Sequence, residues 1–188
     1  MPNQTVNWEE EWIKMTRQKI IYDFLIFQVA WFACVLSTLS PFPVLLPIIG
    51  LIPVVIRSVF IHGVFRLLPF AFACLILGLI GDACLVHFQL ITFRPSASLL
   101  GVPFWMLLLW LNFALMLHPL FDWFLKGRWR CLLGFSLGGA LAYYSGHKFE
   151  VLTFQQGWYT ALAVASEWAV VSFVLRHLYF KFHNKQNS

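Results

Sequence analysis

Long apolar stretches alternate with short polar or proline-containing segments along most of the chain. About 20 apolar residues suffice for an α-helix to cross the ~30 Å hydrocarbon core of a bilayer. The pattern therefore predicts an all-α fold, a polytopic membrane helix bundle with six transmembrane helices and short loops. The predicted spans cover residues 21–39, 42–60, 67–92, 103–125, 131–146 and 157–179.

Span two contains Pro47 and Pro53, so it could be straight, kinked or re-entrant. The basic residues favour a full crossing, because lysine and arginine accumulate in cytoplasmic loops. With six spans and a cytoplasmic N-terminus, only Arg94 and Lys148 lie on the outer side. The others share the inner side: Lys14, Arg17, Lys19, Arg57, Arg66, Lys126, Arg128, Arg130, Arg176, Lys181 and Lys185. Both termini are therefore predicted to be cytoplasmic, an N-in/C-in arrangement.

Short segments flank a single transmembrane domain, residues 21–180. Residues 1–20 are predicted to form a cytoplasmic, amphipathic interfacial helix, with Asn7 as its N-cap and Trp8 and Trp12 on one face. The alternative is a frayed polar tail. Residues 181–188 are predicted to be a cytoplasmic tail.

Composition agrees with this class. Hydrophobic residues make up 60% of the 188 positions and charged residues 11%, against about 25% charged in a soluble domain. These values exclude a soluble enzyme, a disordered chain and a nucleic-acid-binding domain, so no nucleic-acid partner is expected for the net charge of +5. The four cysteines have no zinc-site spacing, and we expect neither a metal nor a cofactor.

Polar side chains inside the spans are the first candidates for chemistry, because ionisable groups there are costly. At about 1.5 Å per residue, four of them lie roughly 15 Å below the outer boundary, near the midplane. This predicted polar core consists of Gln28, Asp82, Asn112 and Glu167. Asp82 and Glu167 could relay protons or hold a polar headgroup. Alternatively, they hydrogen-bond Asn112, Gln28 or a backbone carbonyl and lock the bundle.

Two further layers are predicted. An inner layer near the cytoplasmic face contains Asp23, His118 and Asp122, either as a headgroup site or as interfacial charges that pair with the basic turn. An outer layer contains His87, Tyr143, Tyr144 and His147, either as a pocket wall or as an aromatic belt.

Small residues at helical spacing predict close helix packing. Gly78 lies on the same predicted stripe of span three as Asp82, together with Cys74, Leu85 and Gln89. Spans five and six are predicted to be tightly packed central helices, through Gly134, Gly138 and Gly139 on one and Ala161, Ala165 and Ala169 on the other.

Several of these residues also carry a family resemblance. Over residues 22–176 the chain resembles the bacterial inner-membrane family catalogued as domain of unknown function 2878. The matching features are Trp31, Gly78-x-x-x-Asp82, Pro103-x-Trp105-x-x-x-x-Trp110-x-x-Phe113, the segment 139–146 and Glu167-Trp168. Family members often have Gly-Pro in place of Gly139-Ala140, and glycine in place of Glu150. The family's genes tend to neighbour cyclopropane-fatty-acid-synthase-like and other lipid-modifying or photo-oxidative-stress genes, which implies a role in membrane-lipid modification.

Three functions follow as expectations for a multi-pass protein of the bacterial inner (cytoplasmic) membrane. The first is a component of a lipid-modification or envelope-stress system that binds membrane lipids or a partner, either a lipid-modifying enzyme or a second copy of the chain. The second is an intramembrane enzyme acting on lipids, with Asp82, Glu167 and His118 as candidate catalytic groups. The third is a small proton-coupled transporter that uses the midplane carboxyls.

Overall fold

The computed structural model describes the backbone of residues 8–184, and the side chains of residues 16–182 except His62. This part of the chain is almost entirely helical. The helices are α1 Trp8–Val35, α2 Leu45–His62, α3 Val64–His87, α4 Phe104–Leu115, α5 Leu117–Lys126, α6 Arg128–Lys148 and α7 Trp158–Asn184. The strands are β1 Ile91–Phe93, β2 Ser98–Leu99, β3 Val102–Pro103 and β4 Leu152–Phe154.

Three helical segments are long and apolar enough to cross a membrane: Thr16–Leu39, Val64–His87 and Trp158–Phe182. The helices α4 and α5 make a fourth if the bent pair is counted as one span. The apolar helix Leu45–Ile61 of α2 is shorter. The chain is therefore an all-α protein with the helices of a membrane protein.

The C-terminal ends of α1, α3 and α6 lie at the same end of the bundle. Strand β1 follows α3, strand β4 follows α6, and the two strands pair with each other. Near the end of α1, Trp31 contacts Phe149, which directly follows α6. Helix α7 starts at this end and runs antiparallel to α6, because Cys131 meets Ser172 while Gly139 meets Trp168. The described part of the chain thus begins and ends at the opposite end of the bundle.

Two small β-ribbons cover the first end, in a region that the hydrophobic pattern assigns to span ends and loops. Strands β1 and β4 are antiparallel, with Thr92 opposite Thr153. Strands β2 and β3 form a hairpin through Leu100 and Gly101, both with positive φ, as a two-residue type I′ turn requires. The first ribbon joins loops from distant parts of the sequence, a pairing that helical periodicity cannot predict.

The proline break lies in predicted span four, whereas the sequence left open a kink in span two. Helix α2 continues through Pro53, whereas α4 and α5 meet at a bend of 67°. Pro119 has no N–H and its ring excludes a helical hydrogen bond to the carbonyl of Leu115. The Ser58 hydroxyl of α2 donates to that carbonyl at 2.8 Å, so the freed backbone group is satisfied by a neighbouring helix.

At the N-terminus, α1 is continuous from Trp8 to Val35. The predicted interfacial segment and the first predicted span therefore share one helix. The proposed cap Asn7 and the side chains of Trp8 and Trp12 lie outside the described residues. At the other end, α7 continues to Asn184, so the first residues of the predicted tail are helical, and residues 185–188 lie outside the described part.

Candidate functional site

Asp82 is the centre of a buried polar cluster. Its carboxylate is fully buried and accepts hydrogen bonds from two aromatic side chains. The indole Nε1 of Trp110 donates at 2.9 Å and the hydroxyl of Tyr143 at 2.5 Å. The cluster therefore links α3, α4 and α6. Tyr143, which the sequence places in the outer layer, is a direct partner of the polar core.

Glu167 lies beside this cluster without a hydrogen bond to it. Its side chain packs against Gly81, the residue before Asp82, where a Cβ would overlap the Glu167 carboxyl group. Both carboxyl oxygens are buried, and neither has a hydrogen-bond partner among the described residues. The two predicted midplane carboxyls are thus neighbours, and α3 and α7 approach closely because residue 81 has no side chain.

The other two residues of the predicted polar core lie towards α1. Asn112 is fully buried, and its Nδ2 donates to the carbonyl of Phe27 at 3.2 Å. Its Oδ1 is buried without a partner in the described residues. Gln28 follows Phe27 in the chain and lines a cavity. The structure therefore brings Asp82 and Glu167 together, whereas Asn112 bonds the backbone of α1 and Gln28 faces the cavity.

A stack of two indoles joins α4 to α7. The rings of Trp110 and Trp168 have centroids 4.6 Å apart and planes 14° apart. Gly78 of α3 lies against Trp110 and Gly139 of α6 lies against Trp168, and a Cβ at either glycine would overlap the ring. Close packing thus occurs at Gly78 and Gly139, where each glycine makes room for an aromatic side chain.

The remaining small residues differ in what they contact. Gly134 lies against the ring of Phe124, whereas a Cβ on Gly138 would meet nothing within 4 Å. Gly138 therefore borders open space. On α7, the predicted packing residues Ala161, Ala165 and Ala169 are all half-buried.

That open space is a cavity of about 540 Å³ between α1, the α4–α5 pair and α6, with Trp168 of α7 in its wall. We call it the aromatic cleft. Its aromatic lining consists of Phe24, Phe27, Trp31, Phe32, Trp110, Phe113, Phe121, Phe135, Tyr143, Phe149 and Trp168. Its other lining residues are Gln28, Met106, Leu109, Gly134, Gly138, Gly139, Leu141, Ala142 and Ser145. None of these is acidic, basic or a histidine.

The carboxyls lie behind the wall of the aromatic cleft. Trp110 and Tyr143 line the cleft and at the same time donate to Asp82, while Asp82 and Glu167 are not among the lining residues. The cleft has the features of ligand pockets, which are mostly apolar and carry few polar groups. As arranged here, the cleft is suited to binding an apolar ligand, and its two hydroxyl groups, those of Tyr143 and Ser145, already donate hydrogen bonds within the protein.

The inner-layer residues form two separate clusters. Asp23 is buried and accepts two hydrogen bonds from Arg57, from Nε at 2.6 Å and from Nη2 at 3.2 Å. Asp122 accepts a hydrogen bond from Tyr179 at 2.5 Å and pairs with Lys126. His118 packs against the rings of Phe70 and Tyr179. The structure therefore brings His118 and Asp122 together around Tyr179 and leaves Asp23 in its own ion pair.

The outer-layer residues are likewise divided. His147 stacks on Phe154 of β4 with ring centroids 5.2 Å apart, so it holds α6 against the ribbon. Tyr144 is 46% exposed beneath the Lys148 ammonium group. His87 is exposed beside Phe88. Only Tyr143 of the predicted outer layer lines the cleft. Among the described residues, no group of three or more histidine, cysteine or acidic side chains is placed to hold a metal ion.

Sequence reasoning did not assign the aromatic side chains of the cleft to one site. It named Trp31, Trp110, Phe113 and Trp168 only as family features and Tyr143 only in the outer layer, and it left out the other six. Phe24, Gln28 and Trp31 are spaced by four and three residues on α1, which places them on one helix face. That spacing was available in the sequence, together with the count of 20 phenylalanines and nine tryptophans. It could not show that this face borders a cavity, since an aromatic stripe in an apolar helix packs equally well against a neighbour.

Comparison with known proteins identifies the family of the chain. The model of the family described as "Protein of unknown function (DUF2878)" matches residues 20–174. The chain belongs to the DUF2878 family. This match confirms the resemblance found in the sequence, and it includes the aromatic cleft and the Asp82 cluster. No curated protein and no solved structure gives a significant match, so DUF2878 membership adds no reaction or ligand to the geometry.

Proposed function

We propose that this protein binds an apolar chain of a membrane lipid in the aromatic cleft, as a non-catalytic component of a lipid-modification or envelope-stress system. The observation that carries the proposal is the cleft itself. A volume of about 540 Å³ lined by aromatic and small residues is within the usual 300–1,000 Å³ of a small-molecule site.

The rim of the cleft supports access from the bilayer. Phe24 is 52% exposed, Phe32 41% and Leu141 65%, and all three line the cleft. In a membrane, these side chains would face lipid. A lipid chain could therefore enter sideways between α1 and α6 without crossing water.

The dimensions also suit a lipid chain. At about 1.5 Å per residue, the lining extends about 12 Å along α1 from Phe24 to Phe32, and about 16 Å along α6 from Gly134 to Ser145. These lengths are close to one leaflet of a ~30 Å hydrocarbon core. An extended chain lying roughly parallel to the helices would fill the cleft.

The proposed membrane arrangement has six spans and both termini in the cytoplasm of a bacterial inner membrane. Two observations support it: the antiparallel α6 and α7, and the pairing of the loops after α3 and α6 at one end of the bundle. Helix α6 then crosses beside α7 despite its polar and small residues. The positive-inside distribution of lysine and arginine supports the orientation.

This arrangement is tested with single cysteines in a cysteine-free background, labelled by a membrane-impermeant thiol reagent. Ser96→Cys lies in the loop after α3 and should react in intact spheroplasts. Gly127→Cys lies between α5 and α6 and should react only after the membrane is permeabilised. Labelling of both sites, or of neither, in intact spheroplasts would contradict the proposed arrangement.

Lipid binding is tested by the quenching of tryptophan fluorescence with phosphatidylcholine brominated on its acyl chains, using the full chain in vesicles. Trp31, Trp110 and Trp168 line the cleft, so a bound brominated chain should quench them. Gly138→Phe should fill the cleft from a position with free space and reduce both the quenching and the lipid retained on purification. The matched control is Leu137→Phe, the same new side chain on the exposed face of α6.

The proposal fails if Gly138→Phe retains as much lipid and as much quenching as the wild type while both variants fold. The role in lipid modification has its own test, the lipid profile of a deletion strain grown with and without photo-oxidative stress. We expect a changed profile that wild type restores and Gly138→Phe does not. A partner enzyme or a second copy of the chain should then be recovered by crosslinking in native lipid.

A second candidate function is proton-coupled transport, and the juxtaposition of Glu167 with the Asp82 cluster favours it. Two buried carboxyls on neighbouring helices are typical of proton relays in membrane proteins. Transport of this kind should be lost in both Asp82→Asn and Glu167→Gln. An enzyme that joins these carboxyls to His118 is less well supported, because His118 contacts Phe70 of α3, 12 residues and about 18 Å of helix from Asp82.

A further inference from the structure

The aromatic cleft contains two polar groups that other side chains leave free. Gln28 and Trp31 both line it, and both are only partly buried. Neither side chain forms a hydrogen bond with any described residue, and neither has a polar atom fully shielded from solvent. They are three residues apart on α1, so they share one face of the helix.

The other polar side-chain groups of the cleft are either hydrogen-bonded within the protein or fully buried. The Tyr143 hydroxyl and the Trp110 indole donate to Asp82, and the Ser145 hydroxyl donates to the carbonyl of Leu141. The Trp168 nitrogen has no hydrogen-bond partner among the described residues, but it is fully buried and exposes no surface to a ligand. The primary amide of Gln28 and the indole N–H of Trp31 therefore provide the available donors, and an indole N–H can only donate.

These donors lie deep in the bundle. Gln28 is 12 residues from Thr16 and 11 from Leu39, the ends of the candidate span, so its depth is close to the midplane. Trp31 is about 4.5 Å further along α1. The ester groups and headgroup of an ordinary phospholipid lie near the interface, roughly 15 Å from the midplane of a ~30 Å core. An unmodified chain would thus leave both donors without an acceptor.

The absence of acidic, basic and histidine side chains from the lining defines the ligand's charge. A charged group at this depth would have no counter-ion and would be strongly disfavoured. The ligand group opposite Gln28 and Trp31 must therefore be neutral and must accept hydrogen bonds.

We infer that the aromatic cleft selects a lipid carrying a neutral oxygen function at mid-bilayer depth, held by Gln28 and Trp31. A hydroxyl or keto group in the middle of an acyl chain has this chemistry, and so does the ring of a membrane quinone. This inference rests on the proposed lipid-binding function and specifies its ligand.

The test is competition against the brominated phosphatidylcholine, in vesicles that contain the full chain. Phosphatidylcholine with 12-hydroxystearoyl chains is compared with the stearoyl lipid, and a decyl-substituted benzoquinone provides the second arm. We expect the hydroxylated lipid to relieve quenching at a mole fraction about three- to tenfold lower than the stearoyl lipid, which corresponds to one or two net hydrogen bonds. Gln28→Leu and Trp31→Phe should each reduce that preference, while Gln18→Leu, the same change elsewhere on α1, should not.

The arms separate the possible results. A Gln28-dependent preference for the hydroxylated chain supports a modified acyl chain as the source. Gln28-dependent binding of the benzoquinone alone supports a quinone, and either result upholds the inference. Equal competition by stearoyl and hydroxylated lipids, with quinone binding unchanged in Gln28→Leu, overturns the inference and leaves lipid binding in place. Failure of the brominated lipid to quench cleft tryptophans in the wild type overturns the proposed function itself.

Discussion

The Trp168 indole is stacked on the Trp110 indole, and Trp110 in turn donates its N–H to Asp82. This relationship makes the buried carboxylate a structural support for the wall of the aromatic cleft. Gly78 on α3 and Gly139 on α6 leave room for the two rings, because a side chain at either position would overlap them.

Gly78→Ala and Gly139→Ala should each destabilise the protein, because the added methyl group would overlap the ring of Trp110 or Trp168. Overpacking of this kind costs about 1–3 kcal/mol. The measurement is the free energy of unfolding from titration with SDS in mixed micelles. Gly138→Ala is the matched control, since its methyl group enters open space. It should be neutral or stabilising by up to about 1 kcal/mol, because alanine favours the helix over glycine. Equal destabilisation at all three positions would contradict the proposed packing.

Replacing Asp82 by alanine should leave the Trp110 and Tyr143 donors buried without their acceptor. We expect a loss of about 1–3 kcal/mol for each unsatisfied donor, measured by the same titration. Adding Tyr143→Phe removes one of these donors, so the double variant should lose less stability than the sum of the two single variants. Strict additivity would show that the Asp82–Tyr143 hydrogen bond contributes no coupling energy.

Ser58→Ala should lower the free energy of unfolding, because the Leu115 carbonyl at the bend between α4 and α5 would lose its hydrogen bond from α2. Hydrogen bonds between membrane helices average about 0.6 kcal/mol and reach about 1.7 kcal/mol, and the upper part of that range is expected for this buried group. Ser166→Ala is the control, since that hydroxyl donates within its own helix, to the Leu162 carbonyl. The two variants are compared by SDS titration, and a larger loss for Ser166→Ala would refute the role assigned to Ser58.

Glu167→Met should stabilise the protein by about 1–3 kcal/mol, because a buried polar group without a partner is replaced by an apolar one of similar length. Stability and lipid retention are measured on the same preparation. Higher stability with unchanged lipid retention and an unchanged stress phenotype would indicate that the carboxyl has no function. Higher stability with a lost phenotype would indicate that the carboxyl acts in transport, and lower stability would refute the prediction.

The sequence was informative where periodicity alone decides the outcome. On α3, four members of the predicted stripe, Cys74, Gly78, Asp82 and Leu85, are buried together. The fifth member, Gln89, lies after the end of the helix and is exposed. The small residues at helical spacing also predicted close packing at Gly78 and Gly139, and an indole ring lies against each of these glycines. Periodicity defines a helix face, however, and does not give its rotation towards other helices. Tyr143 was placed with the outer residues from its depth along span five, although its hydroxyl reaches Asp82 on another helix.

Other features depended on pairings between distant residues. The bend in span four arises from Pro119, which leaves the Leu115 carbonyl without a helical hydrogen bond. That carbonyl is satisfied by Ser58, which lies 57 residues away in the sequence. The β1–β4 ribbon joins loops that lie on either side of three helices. The aromatic cleft is a space between several helices, and no local sequence pattern indicates a cavity of that kind.

The β1–β4 ribbon also has a consequence for how the protein is made. Phe93 pairs with Leu152, so β1 emerges from the ribosome well before its partner strand and must wait until α6 has been synthesised. Pairing of β1 with β4 is therefore a late step in synthesis. It joins the first three helices to the last ones after each has entered the membrane. If the gene were divided at Ser96, each half of the polypeptide would still carry one of the two strands. The two halves could then associate through the pairing of β1 with β4.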